Sequence, residues 1–573
     1  MTARTVYLET FGCQMNELDS ELVMGQLRAL GYAFSSDPDR ADVVLYNTCS
    51  VRDHAEQKVR SRLGELKLRK QREPGLIVGV LGCMAERDGV DMFRRFPAVD
   101  ILCGPGELDK LPVLLDNAVR TRAGDLADIR SSSTAVAHRN SGPSHHHRHR
   151  QFALQGDTSR RSSTLAAAED SLEFLDLSRA ISASDHNGSA YVRITRGCNK
   201  FCTYCVVPRT RGAEIHRPPD HIVDECKRLA DAGVVEVTLL GQTVNHYRFE
   251  HGAAVTVGGV VQPQKGRSYL GGHRRDPFEG EKVTTFAGLL RRIHEEVPAI
   301  RRLRFVTSYP RDFGDDVLEV MRDSPRICRY LHAPAQSGSN EVLRRMNRGY
   351  TAEEYLEFID RARAYLDQPE IGRPLMIAGD MIVGFCGETD EDFQASVRLL
   401  ERVRYKNCFI FKYSPRPGTS AFERLPDDVP DDVKRRRCNE LLAVQHRISD
   451  EISRSQVGRT VEVFVEGMSA AERKRRADAT ARGERVGLTV RGITTTSGKG
   501  GAMLGDAGGL AGTSADGSDH PVQMTGRTEG DLIVLFDCPT GIDPVGLIGQ
   551  SVFVRIDSGY GLTLNGSAQL QRP

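Results

Sequence analysis

No apolar run in the sequence approaches the roughly 18 residues of a membrane span, so an anchoring transmembrane helix is excluded. Nor is there an excess of either charge: the net charge is +1 over 573 residues, and no global field draws the chain toward nucleic acid. Any contact with RNA is then local. The candidate basic runs are 67–72, the trio Arg344, Arg345 and Arg348, 434–437 and 473–476, and each reads first as a solvated helix face. Residues 1–10 alternate like a strand and lack the charged and apolar regions of a secretory leader, so none is expected. The thirteen cysteines are therefore expected in a reducing cytoplasm, as free thiols or metal ligands, in a protein with no membrane partner. Hydrophobic residues at 39% and charged residues at 27% describe an ordinary globular chain. Its length has room for roughly three to four domains.

What is present is a crowd of thiols. Cys198, Cys202 and Cys205 stand in the run Arg196-Gly197-Cys198-Asn199-Lys200-Phe201-Cys202-Thr203-Tyr204-Cys205. Thiolates this close suit a cubane iron-sulfur cluster, and three where four would close it leave one iron open to a substrate. Structural zinc takes four ligands, usually as two Cys-x2-Cys pairs, and no second pair follows at suitable spacing. A disulfide belongs to short secreted chains. The pattern Cys-x3-Cys-x2-Cys, with an aromatic residue before the last cysteine, resembles the signature of the radical S-adenosylmethionine enzymes.

The first hundred residues repeat a short apolar strand that runs into a cysteine: 5–10 before Cys13, 42–46 before Cys49 and 76–81 before Cys83, with helix-like segments between. Alternating strand and helix predicts a parallel sheet whose strands all end on one edge, where Cys13, Cys49 and Cys83 can converge. Each alone is equally a small buried hydrophobe. A fourth strand, 99–102, ends in Cys103, which is read as structural.

Residues 1–125 form this first domain, and 126–188, rich in Ser, Arg, His and Ala, read as a solvated linker. Its tract from His145 to His149 lacks surroundings that would fix a metal geometry. Six strands at 191–195, 235–240, 302–307, 330–332, 376–383 and 408–413, separated by helices, predict a partial (β/α)6 barrel over 189–455, with a Gly-rich insertion loop at 248–282. The cysteine loop lies at the C-terminal edge of that barrel. At other strand ends stand Gly241, Gln242, Gln336, Ser337 and Gly338. Glycine lets backbone approach a ligand, and Gln and Ser offer hydrogen bonds, though an ordinary strand-to-helix turn explains them as well. Short strands at 460–466, 531–536 and 551–556 predict a small β-barrel over 456–573, split by a Gly/Ser-rich loop at 494–518. The fold class is thus α/β: an open parallel sheet, a partial barrel and a small β-barrel.

Several motifs carry more than a class. They are Gly12-Cys13-Gln14-Met15-Asn16, Asn47-Thr48-Cys49-Ser50-Val51-Arg52, the cysteine run continuing through Val206-Val207-Pro208-Arg209-Thr210-Arg211-Gly212, Ser308-Tyr309-Pro310-Arg311-Asp312, and Gln336 through Arg348-Gly349-Tyr350. In that order they resemble the radical S-adenosylmethionine methylthiotransferases, most nearly the MiaB-type tRNA enzymes, over nearly all of the chain outside the linker and the two loops. The resemblance implies an auxiliary 4Fe-4S cluster on Cys13, Cys49 and Cys83, and a second 4Fe-4S cluster on the catalytic Cys198, Cys202 and Cys205. It further implies S-adenosylmethionine near Tyr204, Gly241, Gln242, Gln336, Ser337 and Gly338, and a C-terminal TRAM domain that grips tRNA.

The implied reaction is methylthiolation of C2 of N6-isopentenyladenosine beside the tRNA anticodon. That carbon has a strong C–H bond and no acidic proton, so polar acid-base catalysis has little purchase and a radical is needed. A base in a single-stranded anticodon loop can be splayed into a pocket. The expected partners are tRNA, an electron donor such as flavodoxin or ferredoxin and a sulfur or iron-sulfur carrier, and the protein is expected as a monomer. Alternatives are a methylthiotransferase acting on threonylcarbamoyladenosine in tRNA or on a ribosomal-protein aspartate. From other classes come a two-cluster electron carrier with an RNA-binding tail and a zinc-stabilised RNA-binding module. The chain departs from the family pattern at Cys386, where proline is usual, and at Ala333 and Ala335, where larger apolar residues are common.

Overall fold

Six parallel strands build the N-terminal sheet of the computed structural model, in the order Ala33–Phe34, Thr5–Thr10, Val43–Thr48, Ile77–Gly82, Ile101–Cys103 and Gln151–Ala153. The structure describes residues 4–50, 53–132, 150–155, 171–181, 186–266, 282–481, 487–490, 493–496 and 521–569. Val43–Thr48 and Ile77–Gly82 are buried at every position, as strands covered on both faces must be. Leu18, Leu22, Leu111 and Leu115 pack on one face of the sheet, and Val59, Leu63, Leu66 and Phe93 on the other. Thr10 is paired with Asn47 and Thr48 with Gly82, so the segments bearing Cys13, Cys49 and Cys83 all leave the sheet at its C-terminal edge.

The span 126–188, read as linker, contains the end of the helix Leu111–Ser132, the edge strand Gln151–Ala153 and the helix Ser171–Leu177. Composition concealed the last two. The strand is three residues long, and the helix buries the acids Glu173 and Asp176 as well as leucines. The tract from His145 to His149 lies outside the described residues.

In the central domain, Ser189–Arg193, Glu236–Leu240 and Arg302–Phe305 form one parallel sheet, and Tyr330–His332, Met376–Val383 and Asn407–Lys412 another. A parallel bridge from Leu303 to Ile327 joins the two into a six-stranded partial barrel. The helices Pro219–Asp231, Phe286–Glu296, Asp315–Asp323, Ala352–Leu366, Asp390–Val403 and Asp431–Arg454 contribute their apolar faces to its core. The insertion at 248–282, expected as a loop, has strands where it is described. Arg248–Glu250 pairs with Val283–Thr285, Thr256–Val257 with Val260–Val261, and Gln264–Lys265 with Ile215–His216.

The C-terminal barrel is closed, in the order Thr460–Met468, Gln523–Arg527, Ile533–Asp537, Thr563–Gln569 and Ser551–Tyr560. Gln523–Arg527 and Thr563–Gln569 were not anticipated, since both are polar and interrupted by glycine. Of the loop 494–518, residues 497–518 lie outside the described residues. The barrel sits on the central domain through Arg302 and Arg304, each donating to Glu236 at 2.8 Å and to the Thr528 carbonyl at 2.9 and 2.6 Å.

The expectation that each basic run is a solvated helix face does not hold for all of them. Lys70 is paired with Asp100, Lys434 with Asp427 and Arg437 with Glu388, and Arg348 is buried. Among the described residues no helix is long and apolar enough to cross a membrane.

Candidate active site

Two glycines shape the sheet edge that carries Cys13, Cys49 and Cys83. Gly12 has φ +142°, and a Cβ there would lie 2.6 Å from the Cys49 Cβ and 3.4 Å from its Sγ. Gly82 has φ +85°, and a Cβ there would lie 2.4 Å from Asn47 Oδ1 and 2.6 Å from the Thr48 carbonyl. Without side chains at these points the three loops close on one another. Asn16 Nδ2 donates to Asn47 Oδ1 at 3.1 Å and to the Thr48 carbonyl at 2.8 Å, while Asn47 Nδ2 donates to the Asn16 carbonyl at 2.9 Å. Both amides are fully buried and so lock the start of the helix Gln14–Ala29 to the end of Val43–Thr48. The Cys13 thiol donates to Asn16 Oδ1 at 3.3 Å. Cys49 and Cys83 are buried and Cys13 half-buried. Burial pushes the Cys83 thiol up and the neighbouring Cys13 adds to it, against Arg211 and a contact with the Thr210 hydroxyl. Cys103 stands apart in the apolar core and donates to the Glu107 carbonyl at 3.2 Å.

The Cys198 loop is held from several sides. The Cys198 N–H donates to the Gly212 carbonyl at 3.2 Å, and the Cys205 N–H to the Cys202 carbonyl at 2.9 Å. Thr203 donates from its N–H to the Met346 carbonyl at 3.0 Å and from its hydroxyl to the Arg345 carbonyl at 2.8 Å. Arg348 Nη1 donates to Cys202 Sγ at 3.4 Å and Nε to the Tyr350 hydroxyl at 2.9 Å. Its guanidinium lies 4.9 Å from the Tyr309 ring and 5.1 Å from that of Tyr350, a cation-π cage. Lys200 Nζ donates to Asp312 Oδ2 at 2.6 Å, which also stands 2.8 Å from His246 Nε2. Burial pushes the Cys198 thiol up, and Cys205 adds to it. Thiols crowded in a dry place resist ionising until a cation shares the charge.

Among the described residues no three or more His, Cys, Asp or Glu side chains converge as ligands of a single ion. A cubane cluster binds each thiolate at a different corner iron, so the spacing of its ligands differs from that around one ion. The donor sets fit such a cluster: thiols alone, in loops where glycine keeps the cradle open.

The segments that bear the two thiol groups pack together. The helix Cys83–Asp88 packs on Val207–Thr210, which directly follows the Cys198 loop, and Cys83 lies within electrostatic reach of Cys205. Behind them runs a buried ionic network. Arg193 contacts Asp19 at 3.1 Å and Asp176 at 2.7 Å, Arg217 contacts Glu173 at 2.9 Å and Glu225 at 2.8 Å, and Arg179 bridges Glu225 and Glu21 at 2.7 and 2.6 Å. These pairs clamp the N-terminal domain, the helix Ser171–Leu177 and the partial barrel together.

The expected cosubstrate contacts divide. A Cβ on Gly241 would collide with Thr195 Oγ1, a buried hydroxyl with no hydrogen-bond partner among the described residues, so the glycine makes room for that hydroxyl. Gln242 follows, half-buried. Gln336, at φ +72°, bridges to Met381 through backbone hydrogen bonds with Asp380 and Ile382. Ser337 and Gly338 are engaged in the strand-to-helix turn: the Gly338 N–H donates to Ser396 Oγ at 2.9 Å and Ser337 Oγ lies 3.4 Å from the same atom. Tyr204 packs edge-on to Phe385, with ring centroids 6.3 Å apart. The roles of Asn16, Asn47, Arg211 and Arg348 were not anticipated, although all four stand in the motifs quoted above.

A family model described as Uncharacterized protein family UPF0004 matches residues 5–104, and one described as Radical SAM superfamily matches 192–400. The tRNA-2-methylthio-N(6)-dimethylallyladenosine synthase of Rhodopirellula baltica is 42% identical over 538 residues, 93% of this chain and 90% of that one. The proteins of that name from Phocaeicola vulgatus and Chloroherpeton thalassium are 39% and 38% identical, over 82% and 81% of this chain and 87% and 85% of theirs. A solved radical S-adenosylmethionine methyltransferase from Kitasatospora setae aligns at a TM-score of 0.43 and 14% identity over 74% of each chain. The chain belongs to the MiaB-type family of radical S-adenosylmethionine methylthiotransferases.

Proposed function

We propose that this protein adds a methylthio group to C2 of N6-isopentenyladenosine beside the anticodon of tRNA, the activity named in its relatives as tRNA-2-methylthio-N(6)-dimethylallyladenosine synthase. It is a radical S-adenosylmethionine methylthiotransferase acting on tRNA, with S-adenosylmethionine and 4Fe-4S clusters as cofactors. The packing of the helix that opens with Cys83 against Val207–Thr210, just after the Cys198 loop, supports this reading above any other observation of the structure. In it, Cys198, Cys202 and Cys205 hold one cluster and Cys13, Cys49 and Cys83 the other. When bound, these clusters supply the electron that cleaves the sulfonium and the site from which sulfur is handed on. The chain's own part is position and dryness. Lys200 and Arg348 fix the Cys198 loop, and the Asn16–Asn47 clamp holds the second triad at its height on the sheet. Tyr204, Gly241, Gln242, Gln336, Ser337 and Gly338 form the cosubstrate side in this reading. An electron donor of the flavodoxin or ferredoxin type, a sulfur or iron-sulfur carrier, a cytoplasmic location and a monomeric state complete the proposal.

Mass spectrometry of tRNA nucleosides, after expression in a host lacking the modification, tests it. The wild type is expected to yield 2-methylthio-N6-isopentenyladenosine. Cys198→Ala, Cys202→Ala or Cys205→Ala should abolish 5′-deoxyadenosine formation, whereas Cys13→Ala, Cys49→Ala or Cys83→Ala should spare some cleavage and stop sulfur insertion. Full methylthiolation by the Cys49→Ala protein would refute the auxiliary site. Unmodified isopentenyladenosine alongside methylthiolated threonylcarbamoyladenosine would shift the substrate, and reduced protein that makes no 5′-deoxyadenosine would point to an electron carrier.

A further inference from the structure

Arg211 belongs by sequence to the cysteine loop of the central domain, yet its side chain is buried among groups of the N-terminal domain. Its Nη2 donates to Asn16 Oδ1 at 3.2 Å and to Asp19 Oδ2 at 2.8 Å. The Cys13 thiol donates to that same Asn16 oxygen, so one amide stands between the guanidinium and the sulfur. Cys13 and Cys83 both lie within electrostatic reach of Arg211, and its neighbour Thr210 touches Cys83. Asp19 does not neutralise it alone, because the other carboxylate oxygen takes Arg193 Nη1 at 3.1 Å. Arg211 therefore keeps part of its charge facing the thiols, in a dry site where charges act strongly.

We infer that Arg211 is a positioning and charge-tuning residue for the Cys13, Cys49 and Cys83 site: it raises the reduction potential of the cluster held there and ties that site to the Cys198 loop. This rests on the reading that those three thiols hold the auxiliary cluster. A one-electron reduction adds negative charge to a group already ringed by thiolates, and a buried cation beside it stabilises the reduced form more than the oxidised one. Reduction is then easier than it would be without the guanidinium.

The test uses the full chain carrying Cys198→Ala, Cys202→Ala and Cys205→Ala, which retains only the auxiliary thiols. It is loaded anaerobically with iron and sulfide, then titrated with dithionite and followed by electron paramagnetic resonance. In that background Arg211→Gln is expected to shift the midpoint potential to more negative values, and Arg211→Lys to bring it back toward the parent. Asp19→Asn, which removes the counter-charge and is nearly isosteric, is expected to shift it the opposite way. A purely structural role would change the amount of cluster bound without shifts of opposite sign. If Arg211→Gln does not accumulate folded, the direction of the Asp19→Asn shift decides the matter. A parent that binds no iron would overturn the auxiliary-site reading and this inference with it. A bound cluster with one midpoint in all four proteins would overturn the inference alone.

Discussion

Gly82 stands at φ +85° and ψ −157°, a region of backbone space essentially closed to any residue with a Cβ. It is the last residue of its strand and the N-cap of the helix that opens with Cys83, so its conformation aims that thiol. A Cβ there would also meet Asn47 and the Thr48 carbonyl, backbone and amide that the Asn16 clamp holds in place. Gly82→Ala is expected to destabilise the N-terminal domain by roughly 1–3 kcal/mol from backbone strain alone. Denaturant unfolding checks the stability, and iron content after anaerobic loading checks the expected loss of the auxiliary cluster. The six thiols were legible as candidates because spacing and position at strand ends are local properties. The clamp was not: Asn16 and Asn47 are partners across a sheet edge, and neither amide shows in sequence which backbone it will satisfy.

At the scale of elements, strands with β-branched, apolar runs were legible and polar ones were not. Gln523–Arg527 and Thr563–Gln569 each give the barrel core one large apolar side chain, Met524 and Leu564, and are held otherwise by ladder hydrogen bonds. The helix Ser171–Leu177 is a similar case. Its Glu173 and Asp176 are buried against Arg217 and Arg193, so a segment that reads as solvated is stapled into the interior by charge. Arg217 lies at the centre of this staple, fully buried, with Glu173, Asp176 and Glu225 around it. Removing one partner of a buried ionic group leaves uncompensated charge. Arg217→Ala is therefore expected to cost about 3–5 kcal/mol, read from chemical denaturation, and a variant as stable as the wild type would show that the network is not stabilising.

At the scale of the whole molecule, the C-terminal barrel is docked by charge. Asp531 contacts Lys406 at 2.6 Å and Arg527 at 3.0 Å, and Arg304 lies 4.0 Å away. Burial pushes its carboxyl up, but Lys406, Arg304 and Arg527 outweigh that and hold it at about 2, below its ordinary 3.8. A carboxyl lowered in the folded state contributes stability that is complete above its unfolded value and is lost as pH falls through the folded one. The barrel is thus expected to loosen as pH drops from about 4 toward about 2, seen as rising hydrogen exchange in Gln523–Arg527. Asp531→Asn should abolish that pH dependence, and unchanged exchange across the window in the wild type would contradict the assignment.

Taken by itself, the sequence singled out the two thiol triads as candidates for cluster chemistry and gave the order of parallel sheet, partial barrel and small β-barrel. Softness, charge and strand-ending position travel with residue type and local pattern. Only the tertiary structure decided that the helix opening with Cys83 packs on the segment after Cys205, that Arg211 crosses from one domain to Asn16 and Asp19 of the other, and that a helix in the apparent linker pairs its buried acids with arginines of the partial barrel. Those contacts join residues far apart in the chain, and they depend on how buried charges and packed faces find partners once the loops have closed.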